Sequence, residues 1–222
     1  MSENQFVLPG DVIVTGDYKL EQNVILEGNK VMSTAIGFSE IKNDIVSVKP
    51  LTGFYIPKTD DLVVGKIISY NAFSWEIDIN SYYSGVLTAS DIFGKDYLPS
   101  RDDLSLKLKI GDNILTRIVN IGSREPFLTI AGENLGKIDS GELIKISPTK
   151  IPHLIGKYGS MIQTIEASTN TTITVGQNGL IILKYDNSTD LKKAITCLGV
   201  ITDLHDDSNI EEKIKNILDG NN

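Results

Sequence analysis

At 222 residues the chain is long enough for one large domain or two to three small ones, and 41% hydrophobic residues can fill ordinary cores. A single cysteine excludes a disulfide framework and points to a reducing compartment, and no apolar run approaches the ~20 residues of a membrane span. The formal charge of −8, from 21 Lys and Arg against 29 Asp and Glu, argues against a free-standing nucleic-acid binder with a broad basic face.

Residues 1–57 read as a small all-β module. Val12-Ile13-Val14, Val24-Ile25-Leu26 and Ile45-Val46-Ser47-Val48 are short apolar strands, and Pro9-Gly10-Asp11, Gly16-Asp17, Glu27-Gly28-Asn29 and Asn43-Asp44 are turns. The start, MSENQFVLPGD, has no apolar h-region, so no secretory signal is visible and a cytoplasmic location is expected. The module holds no metal or catalytic constellation and reads as a docking element. Gly53-Phe54-Tyr55-Ile56-Pro57 punctuates its end.

Residues 58–135 give five strand candidates, at 62–70, 73–80, 85–88, 114–121 and 127–131, with a polar stretch at 90–109 after the third. Five short strands with one long insertion after the third fit a Greek-key barrel of the OB type. Gly65-Lys66-Ile67, Phe73 and Trp75 with Asp78-Ile79, Gly85-Val86-Leu87 and Gly111-Asp112-Asn113-Ile114 resemble the S1 RNA-binding domain. Such barrels stack bases on exposed aromatic rings while basic residues track the backbone. The candidates are Phe73, Trp75, Tyr82 and Tyr83, with Lys66, Arg101, Arg117 and Arg124. On a strand Phe73 and Trp75 share one face, and that face is either a stacking surface or core. Arg101 sits in the Leu98-Pro99-Ser100-Arg101-Asp102-Asp103 loop and is either an RNA contact or merely solvated.

Residues 136–222 carry the sharpest motif, Ile155-Gly156-Lys157-Tyr158-Gly159-Ser160-Met161-Ile162. Apolar Ile151, Leu154 and Ile155 predict a short helix before Gly156. Met161, Ile162 and Ile165 predict a second after Gly159, opened by a Ser160/Gln163 capping box. The G-K-Y-G turn between them lets a backbone pass close, with the positive end of the second helix aimed at it, so an anion is the natural guest. A phosphate-binding P-loop would need Gly where Ile151 stands and Ser or Thr where Tyr158 stands, so it fails. A helix–turn–helix with no ligand remains the plain alternative. A strand at 143–147 precedes the pair. Ile173 and Val175, the turn Gly176-Gln177-Asn178-Gly179, a buried strand from Leu180 to Leu183, and a helix through Leu191, Ala194, Ile195 and Leu198 follow it, giving the order βααββα. Order and GxxG together resemble a type I KH domain, which clamps about four nucleotides of single-stranded RNA. Lys150, Lys157 and His153 flank its expected groove. Cys197 reads as a buried, inert thiol, and Ile210, Ile214, Ile217 and Leu218 as one face of a packing helix.

No segment is basic. Residues 1–60 carry 5 basic and 8 acidic side chains, residues 61–137 carry 8 and 10, and residues 138–222 carry 8 and 11. Intrinsic RNA affinity is therefore expected to be weak and local. Catalysis finds no support: the two histidines, His153 and His205, belong to no HExxH, no CxxC or GxSxG is present, and pairs such as Asp102-Asp103 and Asp206-Asp207 lie in polar stretches. No cofactor and no metal site is expected.

The succession of β module, S1-like barrel and KH-like domain closely resembles the RNA-binding cap subunit of the archaeal RNA exosome, the ribosomal RNA-processing protein four type. The resemblance is carried by Pro9-Gly10-Asp11, Gly53-Phe54-Tyr55-Ile56-Pro57, Trp75-Glu76-Ile77-Asp78-Ile79-Asn80-Ser81, Arg101-Asp102-Asp103-Leu104, Ile146-Ser147-Pro148, the GxxG segment and Val175-Gly176-Gln177-Asn178-Gly179-Leu180-Ile181. It implies a non-catalytic subunit, three copies of which sit on a ring of RNase PH-like subunits. The N-terminal module would anchor the cap, the barrels would surround the pore, and the chain would thread the 3′ end of single-stranded RNA to the ring. Tyr158 stands where the family often has a basic residue, which puts one phosphate contact in doubt. An independent single-stranded RNA-binding protein of translation or decay is the alternative.

Overall fold

The chain divides after Gly53 into two units, Met1–Gly53 and Phe54–Asn222. The computed structural model describes residues 5–51, 53–122, 125–156 and 159–203, and of residues 201–203 the backbone alone. Arg124, Lys157, Tyr158, His205 and the expected helix through Ile210, Ile214, Ile217 and Leu218 lie outside the described residues.

The first unit is all strand: β1 (Gln5–Val7), β2 (Val12–Thr15), β3 (Lys19–Leu20), β4 (Val24–Glu27), β5 (Lys30–Ser33), β6 (Gly37–Lys42) and β7 (Ile45–Pro50). They form two sheets, ordered β1-β6-β7-β3 and β2-β5-β4. Asn43 (φ 48°) and Asp44 (φ 61°) both take positive φ, so the β6–β7 hairpin closes through the two-residue turn that matches strand twist, and Lys42 pairs Ile45. The apolar-run criterion misses β1, β3, β5 and β6. For β5 and β6 the reason lies in their inward positions, which are partly small or polar: Gly37, Ser39 and Ser33 are buried there. Ser39 Oγ donates to the Gln5 carbonyl at 3.2 Å, and Ser33 Oγ to that of Ala35 at 2.6 Å.

The second unit begins with a closed barrel of β8 (Leu62–Tyr70), β9 (Ser74–Asp78), β10 (Gly85–Thr88), β11 (Asn113–Ile121) and β12 (Pro126–Thr129). The order β12-β10-β9-β8-β11 closes through β11–β12, with β10 and β12 parallel. Strict alternation puts Trp75, Ile77 and Ile79 inside and Glu76 and Asp78 outside. The 90–109 stretch is not a free insertion. Helix α1 (Ala89–Phe93) opens it, and Leu104 and Leu108 return to the barrel core, where the Leu108 carbonyl accepts the Trp75 indole N–H at 3.1 Å. A sixth strand, β13 (Gly136–Ile138), pairs with the first half of β11, so residues 136–138 sit on the barrel's sheet rather than in the following domain.

That domain has the expected βααββα order: β14 (Glu142–Lys145), α2 (Ile151–Ile155), α3 (Ser160–Thr169), β15 (Thr171–Val175), β16 (Leu180–Tyr185) and α4 (Ser188–Asp203), with the sheet ordered β14-β16-β15. Its core joins Ile151, Leu154, Met161 and Ile165 to Ile181, Leu183, Ala194 and Cys197. Burial raises the pKa of the Cys197 thiol above its usual value. Helix α4 is opened by Asn187, whose Oδ1 accepts the N–H groups of Thr189 (3.0 Å) and Asp190 (2.9 Å).

The barrel and the βααββα domain share a third core. Val64 and Leu115 of the barrel pack with Leu180 and Ile182 of β16, under Leu62, Leu135 and Ile138. The β15–β16 turn enters the same seam. Asn178 is wholly buried; its Nδ2 donates to the carbonyls of Val64 (2.6 Å) and Ile79 (2.8 Å), and its Oδ1 accepts from Val64 N–H (3.3 Å). Asn80 Nδ2 returns a bond to the Asn178 carbonyl at 2.6 Å, and Gln177 and Leu62 exchange two more at 2.7 and 2.8 Å. Gly176 allows this approach: a Cβ there would stand 2.6 Å from the Val64 nitrogen.

Asn178→Leu strands these barrel backbone groups in a dry seam, at about 1–3 kcal/mol for each group left unpaired. With three groups stranded we expect urea unfolding of the full chain to lose about 3 kcal/mol or more, against under ~0.5 kcal/mol for Leu106→Ser at an exposed site. Equal losses in the two variants would refute the latch.

Candidate nucleic-acid interface

The GxxG turn lies between α2 and α3. Gly156 has φ 67°, and a Cβ there would meet Met161 Cβ at 2.8 Å, so both conformation and space demand glycine. Gly159 is left-handed (φ 79°, ψ 8°) with open space around it, and it is the N-cap of α3. No side chain caps that helix, so the Ser160/Gln163 box does not form: a left-handed Gly159 turns the chain in, and Ser160 is already helical. Among the described residues no N-cap side chain accepts from the first N–H groups of this ten-residue helix, an arrangement suited to an anion. Lys150, at the end of a 3-10 turn, and His153, on α2, are both half-buried beside this turn.

The barrel candidates separate. Trp75 is not a stacking surface: it is 0% exposed and fills the barrel core with its N–H satisfied. Phe73, which the sequence places on the same strand face, is 67% exposed because it stands outside β9. The Asn71 carboxamide accepts the N–H groups of Phe73 (2.8 Å) and Ser74 (3.1 Å), folding residues 71–74 into a turn that throws the Phe73 ring outward. Tyr82 and Tyr83 are exposed beyond the other end of β9. The Tyr82 ring lies 4.6 Å from that of Phe54, tilted 43°. Phe54 was missed because it reads as boundary punctuation; its signal is the aromatic run Phe54-Tyr55 placed directly after the unit limit, with Tyr55 bridged to Ser81.

Among the cations, Lys66 is exposed on β8 opposite Asp78. Arg101 is forked on Asp102, Nε to Oδ1 and Nη2 to Oδ2, both at 2.9 Å, and Nη2 also donates to the Asp96 carbonyl at 3.1 Å. The pair holds the guanidinium pKa above, and the Asp102 pKa below, the usual values; the Leu98 N–H adds to the latter. Arg117 Nη1 donates to the Asp60 carbonyl at 3.0 Å, so that contact is structural. Phe73 and Arg101 thus belong to one end of the barrel, and Tyr82, Tyr83 and Phe54 to the other. Among the described residues no three His, Cys, Asp or Glu side chains gather where they could hold a metal ion, and no helix is long and apolar enough to cross a membrane.

The chain is similar over its whole length to known proteins. A protein of Nitrosopumilus maritimus named exosome complex component Rrp4 is 47% identical over 218 residues, spanning 98% of this chain and 96% of its own length. The chain belongs to the Rrp4 family of exosome components. Its relatives from Thermofilum pendens (35% identical, 99% of this chain, 94% of that protein) and Pyrococcus furiosus (36%, 98% and 84%) carry the same name. The Exosome RNA binding protein RRP4 N-terminal domain model matches residues 4–52, within the first unit, and the KH domain model matches residues 141–189, from β14 to the start of α4. A crystal structure assigned to an exosome complex RNA-binding protein superposes with a TM-score of 0.72 at 35% identity, covering 76% of this Rrp4-family chain and 97% of the other.

The two motif glycines differ in kind. We expect Gly156→Ala to cost about 2–3 kcal/mol in thermal or urea unfolding, from strain plus the Met161 contact, and Gly159→Asn under about 1 kcal/mol, since Asn tolerates the left-handed region. Equal costs would contradict the geometry.

Proposed function

We propose that this chain is a non-catalytic RNA-binding component of an exosome, capping a ring of RNase PH-like subunits and recruiting single-stranded RNA 3′ ends for 3′-to-5′ processing or degradation. The observation that carries the reading is full-length likeness to proteins named exosome complex component Rrp4, joined to a GxxG turn ahead of an uncapped helix. In this reading the N-terminal unit docks on the ring, three copies stand around the pore, and the complex works in the cytoplasm. The ring cleaves RNA by phosphorolysis; the chain holds and guides it.

The net charge of −8 fits a subunit that does not work alone. Contacts too weak for a free protein suffice when three copies meet one strand at one pore, because the second contact is intramolecular and effective concentration replaces affinity. The acidic surface also keeps each copy off RNA it should not hold.

Native purification of the tagged chain from its own cells, with mass determination, tests the assembly. A large complex with RNase PH-like subunits and three copies of the chain is expected; a lone monomer would overturn the cap reading in favour of an independent RNA binder. The KH turn is tested at Gly159, which has room for a side chain, and not at Gly156, where any Cβ disturbs the fold. Gly159→Asp places a carboxylate at the helix start and should weaken RNA capture by the assembled complex about fivefold or more at low salt, with an unfolding cost of only about 1 kcal/mol. An unaltered capture curve across salt concentrations would remove the turn from the RNA path.

A further inference from the structure

The turn before β9 and the 97–104 segment border an open cleft of about 290 Å³, lined by Tyr70, Asn71, Tyr97, Pro99, Arg101 and Asp103. Its walls are flat and already fixed. The Tyr97 ring lies 5.3 Å from that of Phe93, tilted 35°, and the Phe93 ring carries the Lys107 ammonium 5.9 Å from its centroid. The Tyr97 hydroxyl donates to the Ala72 carbonyl, which ties the two walls together. Across the opening, the Arg101 guanidinium is held in plane by Asp102 and the Asp96 carbonyl. A guanidinium fixed in advance loses little freedom when a ligand arrives.

The polar edges are few and mixed. Arg101 Nη1 has no partner among the described residues, so one donor is left over from the fork. Asp103 Oδ1 accepts from Ser105 N–H and Oγ (2.9 and 2.8 Å), and Oδ2 has no partner among the described residues. Flat aromatic and guanidinium faces with one donor and one acceptor suit a planar ring with a heteroatom edge. They do not suit a bare phosphate, because Asp102 neutralises Arg101 and Asp103 repels an anion. The Phe73 ring, two residues beyond Asn71, is exposed beside the cleft and gives a second stacking surface for a strand that delivers one base inside.

We propose that this cleft is a nucleobase pocket, in which one base of a single-stranded RNA leaves the strand and inserts between Tyr70, Tyr97 and the Arg101 plane. The inference rests on the RNA-binding reading above and adds to it a site that holds a base rather than the backbone.

The test uses the full chain and oligoribonucleotides that carry 2-aminopurine at one position, whose fluorescence is quenched by stacking, with overall binding followed by the anisotropy of a 5′ fluorescein. Quenching is expected at a restricted set of positions. Tyr70→Ala and Arg101→Lys, both at exposed residues, should remove at least half of it and weaken binding about fivefold or more. Gly159→Asp, outside the cleft, should leave the quenching at saturation intact. Binding by anisotropy without quenching at any position, or quenching unchanged in both cleft variants, overturns the pocket alone. No anisotropy change with the wild-type chain overturns the RNA-binding reading and the pocket with it.

Discussion

One buried carboxamide governs how the second unit is built. Asn178 lies in the turn between β15 and β16, yet its side chain pairs with Val64 on β8 as a neighbouring strand would, accepting from the N–H and donating to the C=O. A buried amide is favourable only when its hydrogen bonds are made, so the turn has no comparable alternative position. With Val64, Leu115, Leu180 and Ile182 packed around it, the barrel and the KH domain form one body. The GxxG turn is therefore held at a set place relative to the barrel's outer surface.

Inside the barrel the same economy separates core from surface. Trp75 fills the centre and reaches the Leu108 carbonyl, so the long 90–109 segment is anchored at its far end. At its near end Asp91 accepts Thr129 Oγ1 (2.6 Å) and Ile130 N–H (2.8 Å). Pinned at both ends, this polar segment can present Tyr97 and Arg101 in fixed positions. Preorganisation of that kind matters more in an acidic chain than in a basic one, since long-range attraction contributes little to holding the strand.

Much of this was legible in the sequence. The βααββα order and the strands at 62–70 and 85–88 follow from apolar patterning and turn chemistry. Four things were not legible. Phe73 and Trp75 obey period 2 only if both are in the strand, and the Asn71 turn ends the strand between them. The inward positions of β5 and β6 include Ser33, Gly37 and Ser39, so no apolar alternation betrays them. Asn178 reads locally as a turn residue before glycine; its partners are more than a hundred positions away, and no local pattern marks such a contact. Residues 136–138 look like the start of the KH domain for a related reason, since their pairing with β11 is a tertiary fact.

The charge and the site geometry then lead to one physical picture. Affinity built on phosphate neutralisation scales with the number of cations placed on the backbone and falls steeply with salt. Here Arg101 and Arg117 are already bonded within the protein, while Phe73, Tyr82 and Tyr83 lie exposed. A strand held by ring faces and by the N–H groups opening α3 depends on stacking, which salt screens little, and on a helix-end dipole, which salt does screen. Each such contact is weak and indifferent to sequence. Under the proposed function, a strand bound this way could slip forward nucleotide by nucleotide without losing its hold, whereas a ladder of tight ion pairs would resist that movement.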